Sequence, residues 1–212
     1  MRRFSLRLAQ SLVLLPILLT AGGLAAQEPD QPMPAPQPPA STTVEQVPLN
    51  PPAALSIDDM LGQLKRERDP QAARVIANST MAAWSVSNSP TVDLLMQWSA
   101  KAAQEKRNAA ALDFIDQAIA LRPDFVGGWN QRATLHFTMG DYRKSVSDIE
   151  RVLRLEPRHF GALAGLAGIL TERGSKEAAM QAWERYLDIY PSDREAQEIV
   201  SKLSEELAGQ KT

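Results

Sequence analysis

Five prolines punctuate the chain beyond residue 57: Pro70, Pro90, Pro123, Pro157 and Pro191. The last four stand 33, 34 and 34 residues apart. Proline has no N–H and a fixed φ, so it breaks a helix interior but suits a helix start or the turn before one. Between these prolines the apolar residues recur at helical period, with one break near the middle of each interval. Each interval therefore reads as two helices, and each proline ends one helix pair and begins the next. A fixed period of this length predicts a solenoid, because one pair cannot bury its faces alone and neighbours must stack.

The residues inside the intervals follow one order. The middle interval has Trp129, Arg132-Ala133 and His136, a turn at Gly140-Asp141-Tyr142, then Ser145, Ile149 and Pro157. The last has Leu163, Leu166-Ala167 and Leu170, a turn at Gly174, then Ala179, Trp183 and Pro191. The first is looser: Leu95, Trp98-Ser99 and Ala102, a turn without glycine at Lys106-Arg107-Asn108, then Ala111, Ile115, Ala118 and Pro123. Small residues such as Ala111, Ala133, Ala167 and Ala179 let helix axes approach, and large ones such as Trp129, Ile149 and Trp183 fill the space beside them. In this pattern the chain from about Val92 to Pro191 resembles three tetratricopeptide repeats, at 91–124, 125–158 and 159–191. The resemblance implies an all-α, right-handed α-solenoid of stacked antiparallel helix pairs.

Residues 57–90 read as a divergent N-terminal helix pair, a further repeat or a cap. Asp58 is placed to cap its first helix, and Asp69-Pro70 to make its turn. Ala73, Ile76, Ala77, Met81 and Trp84 form an apolar stripe. Residues 192–207 read as a C-terminal capping helix. Ser192 and Glu195 make a capping box there, and Ala196, Ile199, Val200, Leu203 and Leu207 form one apolar side. Residues 208–212 are a tail.

Upstream, Arg2, Arg3 and Arg7 precede an apolar stretch from Leu8 to Leu19, then the small residues of Thr20 to Ala26. Positive, apolar and small in that order predicts a secretory signal peptide over 1–26, cleaved after Ala25 or Ala26. The alternative is an uncleaved anchor, but Gln10, Ser11, Pro16 and Thr20 interrupt the run a spanning helix needs. Residues 27–56 read as a Pro-rich linker, since nine of the chain's 15 prolines lie in residues 27–54. It serves as a passive spacer, or as a Pro-rich ligand through Pro36-Gln37-Pro38-Pro39. Export predicts a periplasmic or secreted protein with no membrane span once the signal is cut.

Several classes of function are disfavoured. The net charge is −2, and loss of the three signal arginines leaves 20 basic against 25 acidic residues, so phosphate-driven nucleic-acid binding is not expected. With no cysteine and two histidines, His136 and His159, no metal site or cofactor is expected. HExxH, GxSxG, Walker and dinucleotide patterns are absent. His136 stands at an aromatic packing position and reads as structural. His159 reads as exposed beside a groove. Asp141, Asp148 and Glu150 read as a solvated helix face, with Glu150 and Arg154 an i,i+4 pair. Gly161, Gly165 and Gly168 share one helix face, either for close helix contact or as a smooth floor for a bound peptide.

In the family resembled, the first helix of each pair lines a concave groove that receives a peptide or helix. Phasing the repeats places there Asp93, Met96, Gln97 and Ala100, then Asn130, Gln131, Thr134, Phe137 and Thr138. Arg158 and His159 stand at the junction, and Gly161, Ala164, Gly165, Gly168 and Thr171 complete the face. Asn and Gln can pair with an extended peptide's main chain. The family's grip on a C-terminal carboxylate needs Lys, Asn and Arg where this chain has Met96, Ala100 and Gly161, so no such clamp is expected. The expected function is a non-catalytic scaffold holding a protein or peptide. A chaperone-like factor in envelope biogenesis and, more remotely, an enzyme around His136, Arg158 and His159 are the alternatives. An exposed Trp84 or Trp98 would mark a face for self-assembly.

Overall fold

The computed structural model describes residues 55–209; the expected signal peptide over 1–26, most of the Pro-rich segment and the last three residues lie outside them. The described residues form helices and connecting turns, without strands. The pairs are α1 (Ile57–Arg66) with α2 (Pro70–Trp84), α3 (Pro90–Gln104) with α4 (Asn108–Leu121), α5 (Val126–Thr138) with α6 (Tyr142–Leu155), and α7 (Phe160–Glu172) with α8 (Lys176–Ile189). A last helix, α9 (Arg194–Gly209), packs on α8. The fold is an all-α solenoid of helix pairs.

The prolines act as the sequence requires. Pro70 and Pro90 open α2 and α3, where a missing N–H costs nothing. Pro123, Pro157 and Pro191 each follow the C-cap of α4, α6 or α8 and separate one pair from the next. The turns inside the last three pairs share one geometry. Gly140 (φ 76°) and Gly174 (φ 73°) take the left-handed conformation that reverses the chain, and Lys106 (φ 58°) takes it in the turn without glycine. In each, the next N–H reaches back past the cap, as Asp141 does to the His136 carbonyl at 2.9 Å and Arg107 to Ala102 at 2.8 Å.

Two expected caps move. Ser56, not Asp58, caps α1, with its hydroxyl accepting from the Asp59 N–H at 3.1 Å. At α9 the Asp193 carboxylate accepts from the Ala196 N–H at 3.2 Å, while the Ser192 hydroxyl is buried without a partner. The helix starts one residue later than the capping box assumes, so the carboxylate three residues before Ala196 takes the role.

The larger departure concerns α1 and α2. This pair does not stack on α3 and α4 as an additional repeat. Leu61, Leu64, Ala73, Ala77 and Trp84 share one buried cluster with Phe160, Leu163, Tyr186, Tyr190 and Ala196, from α7 to α9. The start of α2 borders a hollow shared with Tyr190, Ser192 and Arg194. Further along, a Cβ at Gly161 would meet Met81 Cε at 2.9 Å. At the end of α2 the Trp84 ring stacks on His159, centroids 4.3 Å apart, and a Cβ at Gly127 would lie 2.6 Å from the Trp84 carbonyl oxygen. Helix α2 therefore runs past the N-terminal ends of α9, α7 and α5 in turn, as a brace across the repeats.

Candidate functional site

The first helices of the repeats, α3, α5 and α7, line a concave trough. Its near half is a hollow of about 540 Å³ between α3 and α5, lined by Asp93, Met96, Gln97 and Ala100 on one side and Asn130, Gln131 and Thr134 on the other. Ser85 and Val86, at the end of α2, form its wall. The far half is a hollow of about 290 Å³ between α5 and α7. Ala133, Phe137, Ile149, Ala164, Gly165 and Gly168 make it mostly apolar, and Asn130 and Thr134 border both halves. A third hollow, of about 570 Å³, opens toward the other ends of α3 and α5 and includes Thr138 and Lys106.

The polar groups of the trough divide into free and committed. Asp93 accepts from the Ser87 N–H at 3.0 Å and the Ser87 hydroxyl at 2.6 Å, which pins the α2–α3 connection. Gln131 donates to the Ser99 hydroxyl at 3.3 Å and ties α5 to α3. Thr134 and Thr138 donate to the Asn130 and Leu135 carbonyls of their own helix. The side-chain amides of Gln97 and Asn130 bond to none of the described residues, so both are available to a ligand. Phe137 is half-buried, its ring 5.5 Å from Tyr142.

The three glycines of α7 differ. Gly161 accommodates Met81 of the brace. Gly165 lets Ile149 approach, with a built Cβ 3.5 Å from Ile149 Cδ1, and Gly168 opens onto space with nothing within 4 Å. Close contact thus explains the first, and open floor the last.

Two junction residues are not groove surface. His159 is 1% exposed. Its Nδ1 accepts the Ala162 N–H at 3.0 Å, capping α7, and burial pushes its pKa down to about 4. Docking of Trp84 removes it from solvent. Arg158 is exposed but turned to α1: it donates to Glu156 at 2.9 Å and to Asp58 at 2.7 Å.

Another cluster was hidden from sequence reasoning. Asp148 is not on a solvated face; it is 4% exposed and receives two hydrogen bonds from Arg132, at 2.9 and 2.7 Å. Arg132 also donates to Asp116 at 2.6 Å and lies 4.7 Å from the Trp129 ring centre, so one guanidinium joins α4, α5 and α6. His136 is buried beside this pair, its Nε2 3.9 Å from Asp148, and burial holds its pKa below the usual histidine value. Its Nδ1 has no partner. Only the i+16 spacing of Arg132 to Asp116 and Asp148 hinted at the network, and such spacing has no meaning until the repeat is folded. Among the described residues no group of three His, Asp or Glu is arranged to hold a metal, and no helix is long and apolar enough to cross a membrane.

Comparison with known proteins agrees with this architecture. Residues 130–194 match the family model for the tetratricopeptide repeat. A TPR repeat-containing protein of Rhizobium etli is 60% identical over 156 residues, covering 74% of this chain and 76% of that protein. The small glutamine-rich tetratricopeptide repeat-containing protein 2 of Saccharomyces cerevisiae is 29% identical over 97 residues, 46% of this chain and 28% of that one. Among solved structures, the first TPR of Spaghetti (RPAP3) bound to an HSP90 peptide superposes with a TM-score of 0.52 at 20% identity, covering 56% of this chain and 94% of that one. The Sgt2 TPR domain of Aspergillus fumigatus gives 0.52 at 18% identity, covering 58% and 83%. With a stacked-pair fold, a matching repeat model and a relative this similar across most of its length, the chain belongs to the tetratricopeptide repeat family.

Proposed function

We propose that this protein is an exported scaffold, joined to its signal sequence by a Pro-rich spacer, that holds a partner protein in its concave trough and does no chemistry. The observation that carries this is the trough itself. An apolar hollow floored by Gly165 and Gly168 and flanked by Phe137 lies beside two uncommitted amides, Gln97 and Asn130. A hollow of about 290 Å³ suits one or two large apolar side chains of a ligand, while the amides pair with its main chain. A related fold is known with a peptide of HSP90, which makes a peptide a reasonable ligand class. The residues lining the two halves of the trough include no Lys or Arg, so a neutral, apolar-centred segment fits better than an acidic chain end. Export rests on the order of charge, apolar run and small residues in 1–26.

The test is crosslinking capture from intact cells with the wild type and the Asn130→Asp/Phe137→Ala pair, followed by titration of each captured protein in purified form. We expect one or two envelope proteins to be lost with the variant, and direct binding to weaken at least about tenfold. An unchanged set with unchanged affinity would show that the trough is not the docking site.

A further inference from the structure

Among the described residues, the brace leaves the opposite end of the solenoid uncovered. The C-terminal repeat is covered by α9 and by α1 and α2, but the outer side of α3 and α4 has no neighbour among the described residues in the buried clusters. Helical period places Leu94, Trp98 and Lys101 on the side of α3 away from Met96 and Ser99, which face α5. It places Phe114, Gln117 and Leu121 on the side of α4 away from Leu112 and Ile119. The two rows are adjacent: the Trp98 and Phe114 rings are 5.6 Å apart. Leu94 is 42% exposed, Trp98 47% and Leu121 56%. A solenoid end needs a polar outer face to remain in water. Helix α9 has one, with Glu198, Lys202 and Glu205 exposed, whereas the α3–α4 end presents a tryptophan and two leucines.

We propose that this end face docks on the same face of a second copy of the chain, forming a two-fold dimer through α3 and α4. Two features favour a second copy. The face is self-complementary in charge: Lys101 on α3 and Asp113 at the rim on α4 are both exposed, and neither has an ion-pair partner among the described residues. A two-fold axis through the apolar centre brings Lys101 of each copy toward Asp113 of the other. The size fits a weak contact. Two helices of 15 and 14 residues present a face of roughly 20 Å by 20 Å, on the order of 400 Å² in projection per copy and about 800 Å² for the pair, below the range of stable interfaces and in that of transient ones. The dimer is therefore weak, forming at micromolar concentration, and it leaves the trough on α3, α5 and α7 open.

Sedimentation velocity on the purified protein, from about 1 to about 300 µM, tests this. A concentration-dependent shift from monomer to dimer is expected, and Trp98→Glu should abolish it while keeping the helical circular dichroism of the wild type. Lys101→Glu and Asp113→Lys, both surface changes compatible with folding, should each weaken dimerisation at least about fivefold, and the double variant should recover it. A protein monomeric throughout the range overturns the proposal, as does a dimer insensitive to both the Trp98 and the charge variants. A monomer in which Trp98→Phe leaves the acrylamide-quenched part of the four-tryptophan fluorescence unchanged also overturns it, in favour of cover by the chain's own Pro-rich segment.

Discussion

Gly127 and Gly168 lack a side chain for opposite reasons. A Cβ at Gly127 would lie 2.6 Å from both the Phe125 ring and the Trp84 backbone oxygen, so that glycine is the seat of the brace. A Cβ at Gly168 meets nothing within 4 Å. In a helix interior alanine is favoured over glycine by about 1 kcal/mol. Gly168→Ala should therefore raise the stability measured by urea unfolding by about 0.5–1 kcal/mol, while its methyl group intrudes on the apolar hollow and weakens capture of the partner. A more stable variant that binds as well as wild type would remove Gly168 from the trough's floor. Sequence alone grouped the α7 glycines by their shared face, which was sound, but could not separate a contact from an opening. That distinction depends on Met81, whose position relative to Gly161 no local spacing encodes. Asp148 shows the same limit: exposed by period, it is buried because Arg132 of the neighbouring helix reaches it.

Among the elements, the pairs were the most legible, since proline position and apolar period are local. The turn at Lys106 keeps the geometry of its glycine counterparts although its composition differs, because the packed helices on either side impose it. What α1 and α2 pack against was not legible: an apolar stripe shows that a helix is buried, not by what. The start of α7 carries a measurable consequence. His159 caps that helix in its neutral form, stacked under Trp84. Burial lowers its pKa from 6.5 to about 4, against the weaker opposing pull of Glu156. The unfolded chain therefore binds a proton that the folded chain refuses between those values. Stability is fully present above pH 6.5 and falls as pH drops toward 4. The loss from pH 7 to pH 5 should be on the order of 2 kcal/mol from this group. His159→Asn keeps a capping oxygen and removes the titration, so its unfolding midpoint should change less over that interval, whatever its absolute stability. Equal slopes for variant and wild type would show that His159 is not the source.

At the scale of the whole molecule, the brace changes how the repeats depend on one another. In an ordinary solenoid each repeat touches only its neighbours, so the ends fray independently of the centre. Here α2, 15 residues and about 22 Å long, is long enough to cross two helix spacings of about 10 Å. It joins Gly127 at the start of α5, Gly161 in α7 and the α8–α9 turn into one contact surface. A local opening in any of these repeats must release the same helix. Hydrogen exchange should therefore show α5 to α8 opening with one common free energy in the wild type. Trp84→Ala removes the ring that stacks on His159 and lies 5.4 Å from Phe160, at a cost of about 3–5 kcal/mol for a large aromatic in a packed core. In that variant α1 and α2 should lose protection first, and the repeats should then separate into a gradient, with α3 and α4 the least protected. If protection falls only in α1 and α2 while α5 to α8 still exchange together, the repeats are cooperative without the brace, and its role is confined to shaping the wall of the trough at Ser85 and Val86.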